Sequence, residues 1–528
     1  MSRLPWSQPR CVVRVEDPGQ VAAEVIRRIG EPAIQRLDLR VRTWERPPGW
    51  IGAPGLSAIR GLHVSARRGG GRVRIRLGRA MDPGLVLAGA LRVLRPEPAR
   101  GIGPEISFAP GLPAGAAALA GRVVSVADGR RDAHLRVHDV VLAPPGGSVS
   151  EGTYASVVTV GGDDWPVDLR VHNPIGRDVQ SVGPPVVCDI EPMPDGSWLV
   201  RSSGLRLGRD VSSADVRALR GIDILRVDGG WLADRRVDQL RAAGLLVIAE
   251  PVPPDPLDRR VVAHDHARIA MRRGATQGSL GGWPSVSALV LTHRLDFLEH
   301  LVSQVASLEY PELEILVGLH GIGGSSQNPD ALIERVAGMS SALPEHQVRV
   351  IAVDANLPFG AALQYLSEHA NGELLTKLDD DDWYSPEHIW DLVLAREYSG
   401  ATIVGKALDW IEVRSAPCTV YRPVYRAETY ATFVAGGTLL ISSADLRGLG
   451  GWRPVAKSVD RALLERARAH GALVYRTSGL GYCYVRHDRG HTAQVRDEHF
   501  LMRTEGRWPG LLAHAAIGTS ADIAGDSR

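Results

Sequence analysis

Lysine is nearly absent from this chain: Lys377, Lys406 and Lys457 are the only three, so arginine carries almost all of the positive charge. We read that bias, with the abundance of Ala, Gly and Val, as genome composition and not as function. Cysteine is scarce as well. Cys11, Cys188, Cys418 and Cys483 lie far apart and form no Cys-x-x-Cys pair, which argues against a disulfide framework or a zinc site and fits a reducing compartment. Long apolar runs are missing too. A bilayer-spanning helix needs roughly 18 apolar residues, and one of the longest runs, GLVLAGALRVL at 84–94, is shorter and contains an arginine. The opening MSRLPWSQPR lacks the apolar centre of a signal peptide. These absences predict a cytoplasmic protein, with peripheral contact at the inner face of a membrane left open. A formal net charge of +1 argues against a broad nucleic-acid-binding surface but leaves room for a local basic patch.

What is present is globular: 44% hydrophobic and 23% charged residues over 528 positions, enough for two to four domains. Residues 1–103 alternate strand-like and helix-like segments. CVVRVE (11–16) reads as a strand, and DPGQVAAEVIRRIG (17–30) as a helix opened by Asp-Pro and closed by Gly30. RVRIRLG (72–78) alternates at the strand period, and Asp82-Pro83 repeats the helix start. Residues 104–204 read as a small antiparallel sheet or sandwich of short β segments, with a hairpin turn at Pro194-Asp195-Gly196. Residues 205–282 return to α/β order and close with a Pro-rich break at 251–258, a basic helix and the Gly-rich GSLGGWPS. In that helix, His264 and His266 face different directions, so they read as an exposed surface and not as a metal pair. Residues 283–510 are expected to form the regular domain, and 511–528 a flexible tail ending in the polar ADIAGDSR.

In the regular domain, VSALVLT, LEILVGL, VRVIAVD and ELLTKL alternate with helical segments. That order predicts a doubly wound, mostly parallel sheet, in which ligands bind beyond the carboxyl ends of strands. ELLTKL runs directly into four carboxylates, Asp379 to Asp382. Such a run repels itself unless it is solvated or neutralised. At the end of a parallel strand a hard cation, Mn²⁺ or Mg²⁺, is the better reading than a solvated turn. Such ions are held by one or two carboxylates together with substrate phosphates.

Four segments occur in order: SALVLTHRLDFLEHLVSQVASLEYPELEILVG, NLPFGAALQYLSEHANGELLTKLDDDDWYSP, GGTLLISSADLRGLGGWRP and VDRALLERARAHG. Together they make residues from about 286 to 492 resemble a family 2 glycosyltransferase of the A-type nucleotide-sugar-binding fold. The resemblance implies metal-dependent, inverting transfer of a sugar from a nucleoside-diphosphate sugar to a hydroxyl acceptor such as a glycan. Asp379 and Asp381 then take the acidic places of the family's Asp-x-Asp motif. Asp381 becomes the direct metal ligand, and Asp379 faces the ribose or a metal-bound water. Donor contacts fall on Thr292, His320, Asp379 and Asp380, while Asp380 and Asp382 adjust the local field. Asp460 corresponds to the catalytic base; taken alone it reads as an acid stabilising a helix N-terminus. His487 and His491, after the strand GYCYVR, are candidates for metal or diphosphate contact, and a surface role stays open for each. Trp383 and Trp452 read equally as acceptor walls or core packing.

Three positions depart from the family's pattern. Gly318-Leu319-His320-Gly321 replaces its Asp-Asp-Gly-Ser, Val459 precedes Asp460 where a second acid is usual, and Gln364 replaces a common Asn. They leave room for a catalytically degenerate glycan- or partner-binding protein on the same fold. Nucleotidyl transfer fits less well, because LTHRLDFL stands where a Gly-rich basic phosphate loop would follow the first strand.

Overall fold

The structure is a computed structural model. It describes residues 10–28, 31–46, 56, 59–67, 69–94, 106–108, 140–142, 157–158, 167, 169, 171–177, 184–249, 251–276, 283–321, 347–487 and 496–519. His491 and the tail from 520 onward lie outside them.

The first unit contains β1 (Arg10–Val15), α1 (Pro18–Arg28), β2 (Ile34–Val41), β3 (Ile59–Arg67), β4 (Gly70–Met81) and α2 (Pro83–Leu94), with strand order β1-β2-β4-β3. Its strands keep a strict period of two. Val13, Leu37, Leu39, Val73 and Ile75 fill one face and share an apolar cluster with Val21, Val25 and most of α2, while arginines occupy the other. The same cluster continues into Val286, Ala288 and Val290, so this unit and the largest sheet share a core.

β5 (Ile106–Phe108), β6 (Val140–Leu142) and β7 (Val157–Val158) pair in parallel, not antiparallel as expected. Parallel partners cannot be joined by tight hairpins, which agrees with the long connections between them. The expected turn at 194–196 does form: the Met193 amide donates to Ser197 O (2.8 Å) and Gly196 takes φ +80°. It joins β8 (Val187–Pro192) to β9 (Trp198–Val200). With β10 (Leu205–Leu207), α3 (Ser213–Leu219), β11 (Ile224–Arg226), α4 (Arg235–Ala242) and β12 (Leu246–Ile248) these build a sheet of order β10-β9-β8-β11-β12, drawn from both sides of residue 204.

α5 (Pro256–Thr276) is not the exposed helix expected from its sequence. Arg268 Nε lies 2.8 Å from Asp391, and His264 Nε2 3.1 Å from the same carboxylate. Lys406 Nζ, fully buried, completes the cluster at 2.7 Å. A carboxylate shared by Arg268, Lys406 and His264 thus anchors the upstream chain to the domain that follows.

That domain begins with β13 (Val286–Thr292), α6 (Leu298–Ala306), β14 (Leu313–His320), β15 (Gln347–Val353), α7 (Phe359–Glu368) and β16 (Leu374–Leu378). Next come β17 (Trp383–Tyr384), α8 (His388–Ser399), β18 (Ile403–Lys406), β19 (Trp410–Val413), β20 (Cys418–Tyr421) and β21 (Thr429–Tyr430). β22 (Leu440–Ser442), α9 (Ser443–Gly448), α10 (Val459–Ala469), β23 (Val474–Thr477), β24 (Tyr482–Arg486), α11 (Asp497–Leu501) and β25 (Gly506–Pro509) complete it. The main sheet has the order β15-β14-β13-β16-β22-β18-β23-β21. β15, β14, β13 and β16 are mutually parallel, and every residue of β13 is buried, as a strand covered on both faces requires. The mixed α/β architecture with a largely parallel sheet agrees with the fold expected. A second sheet, β17-β24-β19-β20-β25, starts where the acidic run ends. No helix among the described residues is long and apolar enough to cross a membrane.

Replacing Asp391 by Asn leaves Lys406 buried without a counter-charge and Arg268 with only Asp265 and Glu387. Breaking a buried pair in this way costs about 3–5 kcal/mol. The expected outcome is a clearly lowered thermal midpoint, and a melting curve that does not move would contradict the anchoring role.

Candidate active site

β16 ends at Leu378, and Asp379 to Asp382 turn the chain from the main sheet into β17. Three of these four carboxylates are buried; only Asp379 keeps a third of its side chain accessible (33%). Their charge is met by cations from the protein itself. Arg294, two residues past the end of β13, spreads its guanidinium over two acids: Nη2 makes a close ion pair with Asp380, Nε lies 3.2 Å from Asp380 and Nη1 2.7 Å from Asp381. The Thr292 hydroxyl donates to Asp380 at 2.5 Å. Burial works against both charges, yet the two carboxylates hold Arg294 above its ordinary pKa. Burial likewise opposes ionisation of Asp381, but bonds from His487 and Arg294 outweigh it and keep that acid well below the usual carboxylate range.

Lys377 supplies the second cation. It stands in β16, whose five residues are all buried, and its Nζ lies 2.5 Å from Asp379 and 3.7 Å from Asp460. Burial lowers the affinity of this amine for its proton, and the two carboxylates more than restore it. One lysine therefore ties the acidic turn to the first turn of α10.

Asp460 keeps 30% of its side chain accessible. Its Oδ1 has no hydrogen-bond partner among the described residues. Burial pushes its pKa up to about 6, with Lys377 opposing and Asp379 adding to the rise. Ser458, just before α10, takes a left-handed backbone (φ +59°), a conformation unusual for a residue with a side chain. Facing Asp460 and the acidic turn is the Gly436-Gly437 pair. A methyl group on Gly436 would overlap the Asp460 carboxylate, and one on Gly437 would sit 2.7 Å from Asp379 Oδ2 and 3.0 Å from Asp382 Oδ2. Only glycine allows the backbone this close to three acids.

Asp382 faces inward. It accepts from Tyr482 Oη (2.8 Å) and the Val485 amide (2.9 Å), both on β24. Burial, reinforced by Asp381 and Asp379, pushes its pKa well above the usual range. Its place is structural, pinning β17 to β24. β24 then delivers His487, whose Nε2 lies 3.1 Å from Asp381 Oδ2.

Thr292, Asp379, Asp380, Asp381, Asp460 and His487 therefore converge, as a set. His320 does not touch the acids; its Nε2 pairs with Leu357 O at 2.9 Å, at the end of β14. Trp383 and Trp452 are core residues, 6% and 4% exposed, which removes them as acceptor walls. The sequence reading missed Arg294, Lys377 and the glycine pair. Lys377 had a signal: it is one of three lysines and interrupts an apolar strand. Arg294 had a weaker one, its place just past the strand beside β16.

The segment that forms this geometry defines its class. Residues 289–438 match the family described as Glycosyl transferase family 2, so the chain carries a glycosyltransferase domain of that family. The match takes in the last four residues of β13, all of β16 and the whole acidic turn, and stops before Asp460 and His487. Among solved structures, the chain is similar to S. aureus TarS 1–349 in complex with UDP-GlcNAc, at 15% identity and a TM-score of 0.33, over 40% of this chain and 61% of that one. It is also similar to the mannosyltransferase PcManGT from Pyrobaculum calidifontis in complex with GDP-Man and Mn²⁺, at 15% identity and a TM-score of 0.31, over 44% of this chain and 70% of that one. The chain thus spans under two thirds of the TarS fragment. No curated protein matches it.

Lys377→Met leaves Asp379 and Asp460 facing each other with their shared cation gone. The expected outcome is a lowered thermal midpoint at neutral pH, because two like charges then face each other. Thermal unfolding followed from pH 8 to pH 5 checks it: the deficit shrinks as Asp460 takes up a proton, whereas a deficit independent of pH would contradict the pairing.

Proposed function

We propose that the chain moves a sugar from a nucleoside-diphosphate sugar to a hydroxyl acceptor such as a glycan, with inversion at the anomeric carbon. The observation that carries this reading is the pairing of Asp379 and Asp460 across Lys377, with Asp460 Oδ1 left unpartnered. Lys377 lies 3.7 Å from one oxygen of Asp460 and leaves the other buried without a hydrogen-bond partner. As the acceptor oxygen attacks the anomeric carbon, Asp460 takes the hydroxyl proton. The bond to the diphosphate breaks, and the nucleoside diphosphate leaves with the electron pair. Asp379 faces the ribose or a bound water. Thr292 acts on the donor through Asp380, which it holds in place. His320, donating its Nε2 proton to Leu357 O, keeps an Nδ1 lone pair for the nucleotide.

The residues present fit a divalent cation in part. Asp381 Oδ2 and His487 Nε2 converge to 3.1 Å, an oxygen–nitrogen pair that diphosphate oxygens would complete. Among the described residues no group of three or more His, Cys, Asp or Glu side chains is arranged to hold a metal. Mn²⁺ or Mg²⁺ held by Asp381 and His487 would supply Lewis-acid stabilisation of the departing diphosphate. Arg294 shares Asp381 and competes with that ion. The same contact favours the second reading, a binder on a degenerate fold, since Arg294 already neutralises two acids without a metal. The unpartnered Oδ1 of Asp460, on a side chain that keeps 30% of its surface accessible, favours catalysis.

Two measurements decide between these readings. Asp460→Asn is expected to lower transfer by on the order of 10²–10⁴-fold while nucleotide-sugar binding persists. Because Asp460 works only as the carboxylate, wild-type transfer is expected to rise as pH passes about 6 and to level off above it. Full transfer by the Asn variant would remove the base. Separately, Arg294→Ala is expected to strengthen Mn²⁺ binding, read by electron paramagnetic resonance without any substrate turnover. Unchanged or weaker binding would show that Arg294 does not compete for Asp381.

A further inference from the structure

The outer face of the N-terminal sheet has no place in the scheme above. Its apolar face is covered by the two helices, whereas the opposite face is an arginine grid. Arg10, Arg36 and Arg76 stand in one row across β1, β2 and β4, and Arg14, Arg40 and Arg72 stand in another. Between the rows lie Asp38 and Arg74, with His63 beyond on β3. Asp38 is the only acid on this face among the described residues. It is 3% exposed and paired to Arg10 at 2.7 Å and Arg72 at 2.6 Å. Arg36, Arg74 and Arg76 are exposed and make no ion pair among the described residues. Five of these arginines and His63 line an open depression of about 440 Å³.

Like charges placed directly opposite across strands destabilise a sheet, so seven arginines around one carboxylate call for an external anion. Guanidinium forks match phosphate and carboxylate oxygens bidentately. Among the described residues the face carries no aromatic residue other than His63, and so none of the stacking platforms that bind single-stranded nucleic acid. A flat four-stranded face also offers no helix or two-stranded ribbon to enter a groove. Val12, and Leu62 at the rim of the depression, are its exposed large apolar residues among those described, too little for insertion into a membrane.

We infer that this face docks a polyanionic glycan, a sugar polymer bearing phosphate or carboxylate groups, which is the acceptor of the proposed transfer. The acceptor role rests on the glycosyltransferase reading; the docking rests on the sheet alone. The near-neutral total charge conceals the site, because acids elsewhere in the chain cancel it.

The test titrates the full chain with polygalacturonate, inorganic polyphosphate, single-stranded RNA and anionic phospholipid vesicles over a range of salt. The expected result is binding of polygalacturonate, polyphosphate or both, weakening steeply with salt. An Arg36→Glu, Arg74→Glu, Arg76→Glu variant is expected to lose at least about tenfold in that affinity, with its thermal midpoint and nucleotide-sugar binding unchanged. Absence of polyanion binding, undiminished binding by the variant, or preference for RNA or vesicles would overturn the docking. Retained docking by a wild-type chain that binds no nucleotide sugar would overturn the acceptor role alone and mark failure of the transferase reading.

Discussion

Two cations inside the protein, Arg294 and Lys377, allow four carboxylates to follow one another at the end of a strand. In water such a run would spread apart, and in a protein interior it would protonate or unfold. Here each acid has its own settlement. Asp380 and Asp381 share a guanidinium, Asp379 shares an ammonium with Asp460, and Asp382 is pushed toward its neutral form and held by Tyr482 and the Val485 amide. The arrangement is paired without being rigidly full, since one oxygen of Asp460 is left over.

The fold makes this compensation by bringing distant segments to one edge. Arg294 comes from the end of β13 and Lys377 from β16, neighbours in the parallel sheet. Asp460 comes from the start of α10 and His487 from the end of β24, which pairs with β17 directly after the acids. Gly436 and Gly437 let these parts close without a side chain between them. The strained Ser458 sits where Asp460 is aimed, in keeping with the tendency of backbone strain to gather at working sites.

Much of this was legible beforehand for a physical reason. Parallel strands covered on both faces must be continuous apolar runs, so β13, β14 and β16 announce themselves, and a charged run at the end of one marks the ligand edge. Asp379 and Asp381 stand out in the acidic run, whereas Asp460 was singled out only by the family resemblance, since alone it reads as an acid at a helix N-terminus. The partners of those acids do not follow from residue type and order. Arg294 and Lys377 act through pairings between strands far apart in sequence, which no local pattern carries. The orientations of His320 and the tryptophans were not legible for a similar cause: a polar or aromatic residue near an edge can turn inward, as His320 Nε2 does toward Leu357 O. The arginine grid was hidden differently, since summing charge over the whole chain erases a face on which period two has gathered one sign.

The central claim is that the acid–cation cluster at the end of β16 receives the diphosphate of a sugar donor beside Asp460. A crystal structure of the chain with Mn²⁺ and a nucleoside diphosphate addresses this most directly. The diphosphate is expected at Asp381 and His487, with Arg294 withdrawn from or sharing Asp381 and with Asp460 facing the terminal phosphate. Nucleotide bound away from this edge, with Arg294 still clamped on both acids, would contradict it.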